Sequence, residues 1–212
     1  AYTGALGTSV LKLFDLTAAS TGLNEKQARA AGVAYDKVVT YSASHASYYP
    51  GARNMTVKTL FDPASGRILG AQIVGFDGVD KRMDVLAAAI RAGLTAEQLT
   101  ELDLAYAPPY GSAKDPVNMA GYVIENVRAG LVEQHHWDAV AELPADGSVI
   151  LLDVRTPGEV RKQGLLRSDA LHIPLDELRG RLGELDKGKK IYVNCYSGLR
   201  SYLACRILSQ HG

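Results

Sequence analysis

Cysteine is scarce in this chain: 212 residues contain two, Cys195 and Cys205. Such sparing use suits a reducing compartment, and a cytoplasmic location is expected. Excess charge is lacking too. Lys+Arg and Asp+Glu both number 23, the net charge is zero, and no block of like charge stands out, which argues against nucleic acid as a partner. No apolar run approaches the length of a membrane span and no signal peptide opens the sequence, so no membrane partner is expected. No glycine-rich dinucleotide fingerprint follows a strand-like run, so the chain alone is not expected to hold a nucleotide cofactor. His135 and His136 are adjacent and cannot converge on one ion in regular structure, so no metal site is expected. What is present is a hydrophobic content of 47%, ample for real cores, and a length that suits one large or two small domains.

Chemistry concentrates in Ile191 to Gln210, IYVNCYSGLRSYLACRILSQ. Ile191 to Asn194 read as a short buried strand. Leu199, Leu203 and Ile207 then recur at helical spacing. Between strand and helix lies the pattern C-x-x-G-x-R-S, made by Cys195, Gly198, Arg200 and Ser201. A cysteine entering a helix faces unpaired backbone N–H groups and the positive end of the helix dipole. Both favour the thiolate, which is the nucleophile. Arg200 adds a fixed charge and a forked donor for an anionic substrate. Gly198 lets the loop curl so that its amides converge. Cys205, within the helix, reads as packing.

Ala1 to about Gly130 form a first domain. Val10 to Leu16 alternate well enough for a strand. Asn24 and Gln27, then Thr95 and Gln98, make two capping boxes. Lys37 to Tyr41 and Asn54 to Asp62 are β-branched strands. Asp62-Pro-Ala-Ser-Gly66 is a turn, and Arg67 to Phe76 returns as its hairpin partner. Val79 to Ala92 is a helix with Met83, Leu86 and Ile90 on one face, and the helix after Thr95 runs to about Leu102. Asp115 to Ala129 is the last helix, with Pro116 in its first turn. An antiparallel sheet with helices on one side is the expected α+β solution. Tyrosine outnumbers phenylalanine, 11 to 3, and Tyr48, Tyr49, Tyr106 and Tyr110 fall in loops beside proline. A phenol can hydrogen-bond a reacting sulfur while its ring packs. His45 has no acidic partner in sequence and reads as structural.

Four phrases in order, GTSVLKLFDLTAASTGLNE (7–25), SYYPGA (47–52), LGAQIVGFDGVDKRMDVLAAAI (69–90) and YAPPYGSAKDPVNMAGY (106–122), carry a family resemblance. This domain resembles the C-terminal dimerisation domain of flavin-dependent pyridine nucleotide-disulfide oxidoreductases, in the branch of coenzyme A-disulfide reductases, NADH oxidases and persulfide reductases. The resemblance implies a homodimer, with FAD and NAD(P)H bound by domains outside this chain. It further implies that Tyr48 and Tyr106, and less directly Tyr122, help line the partner subunit's disulfide site, and that Lys114 is a candidate for a phosphate of coenzyme A.

Leu131 to His136 read as a linker to a second domain over 137–212. Trp137 to Leu143 open it as a short helix. Val149 to Asp153 are a continuous apolar run, typical of a strand buried on both faces. Ile173-Pro174 mark a brief extended piece, and Asp176 to Leu185 repeat Leu178, Leu182 and Leu185 on one helical face. Alternating strands and helices imply an α/β unit with a parallel sheet, whose reactive loops leave from strand C-termini. The Cys195 loop resembles that of the rhodanese family, whose cysteine carries sulfur as a persulfide. Four residues separate Cys195 from Arg200, where cysteine phosphatases have five, and the smaller cradle resembles the sulfur-transferring version. Asp153-Val-Arg155, with Glu159, also resembles the rhodanese pattern and is expected to brace the loop as an ion pair. Two departures stand out: the usual Gly-His-Ile phrase is replaced by Gly164-Leu-Leu166, and the chain stops at Gly212 before the final strand and helix. With its start at Ala1 rather than methionine, the chain reads as part of something longer, its rhodanese-like sheet truncated.

The implied reaction is reduction of a coenzyme A disulfide, persulfide or polysulfide, with Cys195 handling sulfane sulfur. Left open are an NADH oxidase of the same branch, a dimeric sulfurtransferase without flavin chemistry, and a non-catalytic dimerisation fragment.

Overall fold

The computed structural model describes residues 4–212, which form two compact units meeting at Ala129 and Gly130. In the first unit, β1 (Ser9–Leu13) and β2 (Leu16–Gly22) form a hairpin. The single strand expected over Val10 to Leu16 is therefore two. The chain reverses at Phe14, a non-glycine residue at φ 52°, and Leu13 pairs with Leu16 across the turn. Next come α1 (Glu25–Ala30), β3 (Asp36–Ala43), β4 (Asn54–Phe61) and β5 (Ile68–Gly75). They complete an antiparallel sheet in the order β1-β2-β5-β4-β3.

Helices α2 (Val79–Ala92), α3 (Ala96–Thr100) and α4 (Pro116–Arg128) follow. Thr95 caps α3 with Gln98, and Asn24 caps α1 with Gln27, as the capping boxes in the sequence require. The helix begun at Thr95 ends at Thr100, two residues short of expectation. One face of the sheet is buried beneath these helices: Val57 and Ile73 pair across β4 and β5 and meet Met83, Leu86 and Ile90 of α2 in one core. Each such side chain contributes roughly 1.5–3 kcal/mol by leaving water. Gly121 lets α4 cross α3 closely, since a Cβ there would stand 2.7 Å from the Ala96 carbonyl oxygen. The opposite face carries a cross-strand row, Leu11, Ala18, Val74, Thr56 and Tyr41. Its large members Leu11, Val74 and Tyr41 are exposed.

In the second unit, Trp137–Glu142 form a 3-10 turn rather than an α-helix. Strand β6 (Val149–Asp153) is central to a parallel sheet, ordered β7-β6-β8, with β7 (Leu171–His172) and β8 (Lys190–Asn194) on its flanks. The extended piece lies at Leu171–His172, just before Ile173-Pro174. Helix α5 (Pro157–Gln163) follows β6, and α7 (Leu199–Gln210) follows β8. The expected helix over Asp176 to Leu185 is broken into α6 (Leu175–Leu178) and a 3-10 turn at Leu182–Glu184, with Gly180, a weak helix former, between them. Leu178, Leu182 and Leu185 nevertheless reach the same core. Register aligns His172, Asp153 and Asn194 at the C-terminal end of the sheet, and Cys195 is the next residue.

Candidate functional site

The parallel sheet delivers Cys195 to the start of α7. Gly198, at φ 103°, turns the backbone so that donors converge on the sulfur. Gly198 N–H approaches Cys195 Sγ at 3.1 Å, Ser201 N–H at 3.4 Å, and the Ser201 hydroxyl donates to it at 3.0 Å. Burial opposes the charged form of Cys195, but these bonds, the Ser201 hydroxyl foremost, outweigh it and hold the thiol below its ordinary value. Cys205 is the contrary case: burial first, then the charge on Cys195, pushes it up. An open groove of about 1050 Å³ runs along β8 and reaches both cysteines.

Arg200 does not present its fork to an incoming anion. Its two terminal nitrogens donate to the two carboxylate oxygens of Glu159, each at 2.7 Å. Glu159 also accepts from Thr156 N–H and hydroxyl, both at 2.8 Å, closing the N-terminal cap of α5. The guanidinium holds the Glu159 carboxyl far below its usual range. Arg155 pairs with the buried Asp153, the shortest contact being 2.6 Å, and spends its other donors on Gln163 and the Gly164 carbonyl. The three charges expected to brace the loop are joined by Arg200, and the four sort into Asp153–Arg155 and Glu159–Arg200. His172 stands nearby, its Nε2 2.8 Å from the Arg155 carbonyl oxygen.

In the first unit, the hydroxyls of Tyr48 and Tyr106 meet at 2.9 Å. Tyr48 bonding, with lesser help from desolvation, raises Tyr106 above the ordinary phenol value. Their loops are joined where Ala46 N–H donates to the carbonyls of Pro108 and Gly111. Lys114 and Tyr122 do not join this pair; the Lys114 ammonium lies 5.0 Å from the Tyr122 ring centroid, a cation–π contact. His45 is buried, with Nδ1 3.1 Å from Ser44 Oγ and Nε2 3.2 Å from the Pro50 carbonyl oxygen.

Sequence reasoning missed Arg82. It is buried on α2 and donates to Asp115, to the Gly78 and Ser44 carbonyls and to the Tyr110 carbonyl. One guanidinium thereby holds the loop of Tyr48, the loop of Tyr110 and the cap of α4. The signal was there to read: position 82 falls on the same helical stripe as Val79, Met83 and Leu86, a place where arginine requires a buried partner.

The fingerprint of the pyridine nucleotide-disulphide oxidoreductase dimerisation domain matches residues 8–116, and that of the rhodanese-like domain matches residues 136–212. The chain belongs to the pyridine nucleotide-disulphide oxidoreductase family, and it carries a rhodanese-like domain behind the dimerisation domain. It is 48% identical to the protein in the structure of reduced Bacillus anthracis CoADR-RHD, with a TM-score of 0.95 over 100% of this chain and 37% of that one. An NAD-dependent persulfide reductase from A. fulgidus is 42% identical, with a TM-score of 0.87 and the same coverage. The coenzyme A disulfide reductase of Staphylococcus haemolyticus is 46% identical over 121 residues, 57% of this chain and 27% of its own length. The chain therefore spans about a quarter to just over a third of these relatives.

The turn from β6 into α5 contains no glycine, and the start of α5 is already capped by Thr156 and Glu159. Among the described residues no group of three or more His, Cys, Asp or Glu is placed to hold a metal ion.

Proposed function

We propose that this chain is part of an FAD- and NAD(P)H-dependent reductase of a small-molecule disulfide or persulfide, such as a coenzyme A disulfide or a polysulfide, and works as a homodimer. The observation that carries the reading is the convergence of Gly198 N–H, Ser201 N–H and the Ser201 hydroxyl on Cys195 Sγ. Such a cradle stabilises a thiolate and, after transfer, the charge on a persulfide. Cys195–S⁻ attacks the outer sulfur of R–S–SH; the new S–S bond gives Cys195–S–SH, and the old one breaks to release R–S⁻. FAD and NAD(P)H, held outside these residues, supply the reducing equivalents. The Tyr48–Tyr106 pair lies on the exposed surface, where it can present a phenol proton to a disulfide site contributed by the partner subunit. The exposed row Leu11, Val74 and Tyr41 is apolar surface that needs cover in an assembled enzyme.

The test is Cys195→Ser in the whole enzyme. Sulfur transfer should vanish while NAD(P)H-dependent reduction of coenzyme A disulfide persists. Loss of both activities together would overturn this division of labour. Sedimentation of the 212-residue chain at twice its 22.7 kDa mass is the expected sign of the homodimer.

A further inference from the structure

We propose that Glu159 is a specificity-determining residue: by neutralising Arg200 it tunes the Cys195 loop to sulfur donors carried on an organic thiol and against inorganic dianions such as thiosulfate. The inference rests on the reading that Cys195 accepts sulfane sulfur. Within the loop, Tyr196, Ser197, Gly198 and Leu199 carry no charge. Both guanidiniums that flank it are matched to carboxylates, Arg200 to Glu159 through two 2.7 Å bonds and Arg155 to Asp153. The two pairs sum to no net charge, so neither flanking guanidinium is left unmatched to receive a dianion leaving water. Two of the loop amides, Gly198 N–H and Ser201 N–H, are already directed at the Cys195 sulfur. The mouth is instead apolar: Tyr196 and Leu199 are 64% and 66% exposed. An alkyl thiol persulfide can rest its carbon chain there while its outer sulfur meets the nucleophile.

Both donors obey the same sulfur balance. With thiosulfate, Cys195–S⁻ takes the outer sulfur as Cys195–S–S⁻ and sulfite leaves; with R–S–SH, the thiolate R–S⁻ leaves. What differs is the charge that must approach. Glu159→Gln keeps the side chain that a capping box accepts at this position but removes the countercharge, leaving Arg200 an unneutralised cation beside the loop.

The experiment uses the 212-residue chain with cyanide as acceptor, reading thiocyanate from thiosulfate and from 2-hydroxyethyl persulfide, whose carbon chain carries no charge. Wild type should favour 2-hydroxyethyl persulfide by at least about tenfold in kcat/KM. E159Q should move the thiosulfate-to-persulfide ratio toward thiosulfate by about tenfold, and E159Q/R200Q should return it to the wild-type value. The ratio cancels any loss of folded protein, which a purely structural role would report equally with both donors. Equal use of both donors by wild type, an unmoved ratio in E159Q, or a gain that survives R200Q would each overturn the proposal. Absence of transfer from either donor would overturn the Cys195 reading itself and this inference with it.

Discussion

The hydroxyl of Ser201 donates to the sulfur of Cys195 across 3.0 Å, and the same residue's backbone N–H points at that atom from 3.4 Å. One residue thus supplies two of the donors that overcome the penalty of burial and favour the thiolate. A hydrogen bond to a charged group is worth about 1.5–3 kcal/mol, and one unit of ionisation corresponds to about 1.4 kcal/mol. Ser201→Ala should therefore raise the midpoint of Cys195 alkylation by about one unit or more. Iodoacetamide rates against pH, with Cys205 replaced by Ala to leave one signal, measure it. In the unaltered chain Cys195 should react at lower pH than Cys205, whose thiol burial pushes the other way. An unmoved midpoint in the variant would mean that the backbone amides alone set the reactivity.

Much of this arrangement was legible in the sequence, because local chemistry determined it. The capping boxes at Asn24 and Thr95 follow from residues three apart, and the loop around Cys195 follows from a glycine and a helix start. What could not be read was pairing over distance. Asp153, Arg155, Glu159 and Arg200 were all visible, but the assignment of Arg200 to Glu159 rather than to a substrate depends on a contact between the first turns of α5 and α7, made by residues 41 apart in sequence. The break near Gly180 was hidden because leucines at helical spacing also suit two short turns facing one core. Arg82 was passed over although its place on the α2 stripe marked it, since burial of a guanidinium depends on Asp115, 33 residues away.

Arg82 and Asp115 form a buried pair at 2.9 Å, with side chains 2% and 5% exposed. Removing one partner of such a pair strands the other and costs about 3–5 kcal/mol. Arg82→Met should lower the stability of the first unit by that order, read from urea unfolding. Because Arg82 also holds the Ser44 and Tyr110 carbonyls, amide hydrogen exchange in both loops should quicken more than in β4. A uniform change across the unit would show that the pair stabilises the fold without specifically fixing the loops.

Glu25 lies between Lys37, at 2.8 Å, and Lys58. Burial opposes its charge, yet the two ammonium groups win and bring the carboxyl from 4.5 down to about 2. A depressed carboxyl contributes stability above its unfolded value and loses it as pH falls through the folded one. Glu25→Gln should therefore cost on the order of 1 kcal/mol at neutral pH, and the difference from wild type should shrink between pH 4.5 and about pH 2. Urea midpoints across that range provide the check, and a penalty independent of pH would assign the loss to packing.

The contact between Tyr48 and Tyr106, hydroxyl to hydroxyl at 2.9 Å, raises Tyr106 because ionisation would disturb the shared proton and crowd charge beside its neighbour. A raised phenol favours the neutral form, so its contribution is present below the ordinary value of 10.0 and is lost as pH rises through the shifted one. Tyr48→Phe removes the partner oxygen and little else from an exposed ring. The alkaline titration of phenolate absorbance should then show one tyrosine moving down toward pH 10.0. In the whole enzyme the same change should slow disulfide reduction by about tenfold or more if the pair supplies a proton to the departing thiolate. Transfer of sulfur to Cys195, in the other unit, should not change. A titration shift without an effect on reduction would leave the pair a structural clasp between the two loops, and an effect on both activities would mean that the tyrosines act through the fold instead of through the proton they share.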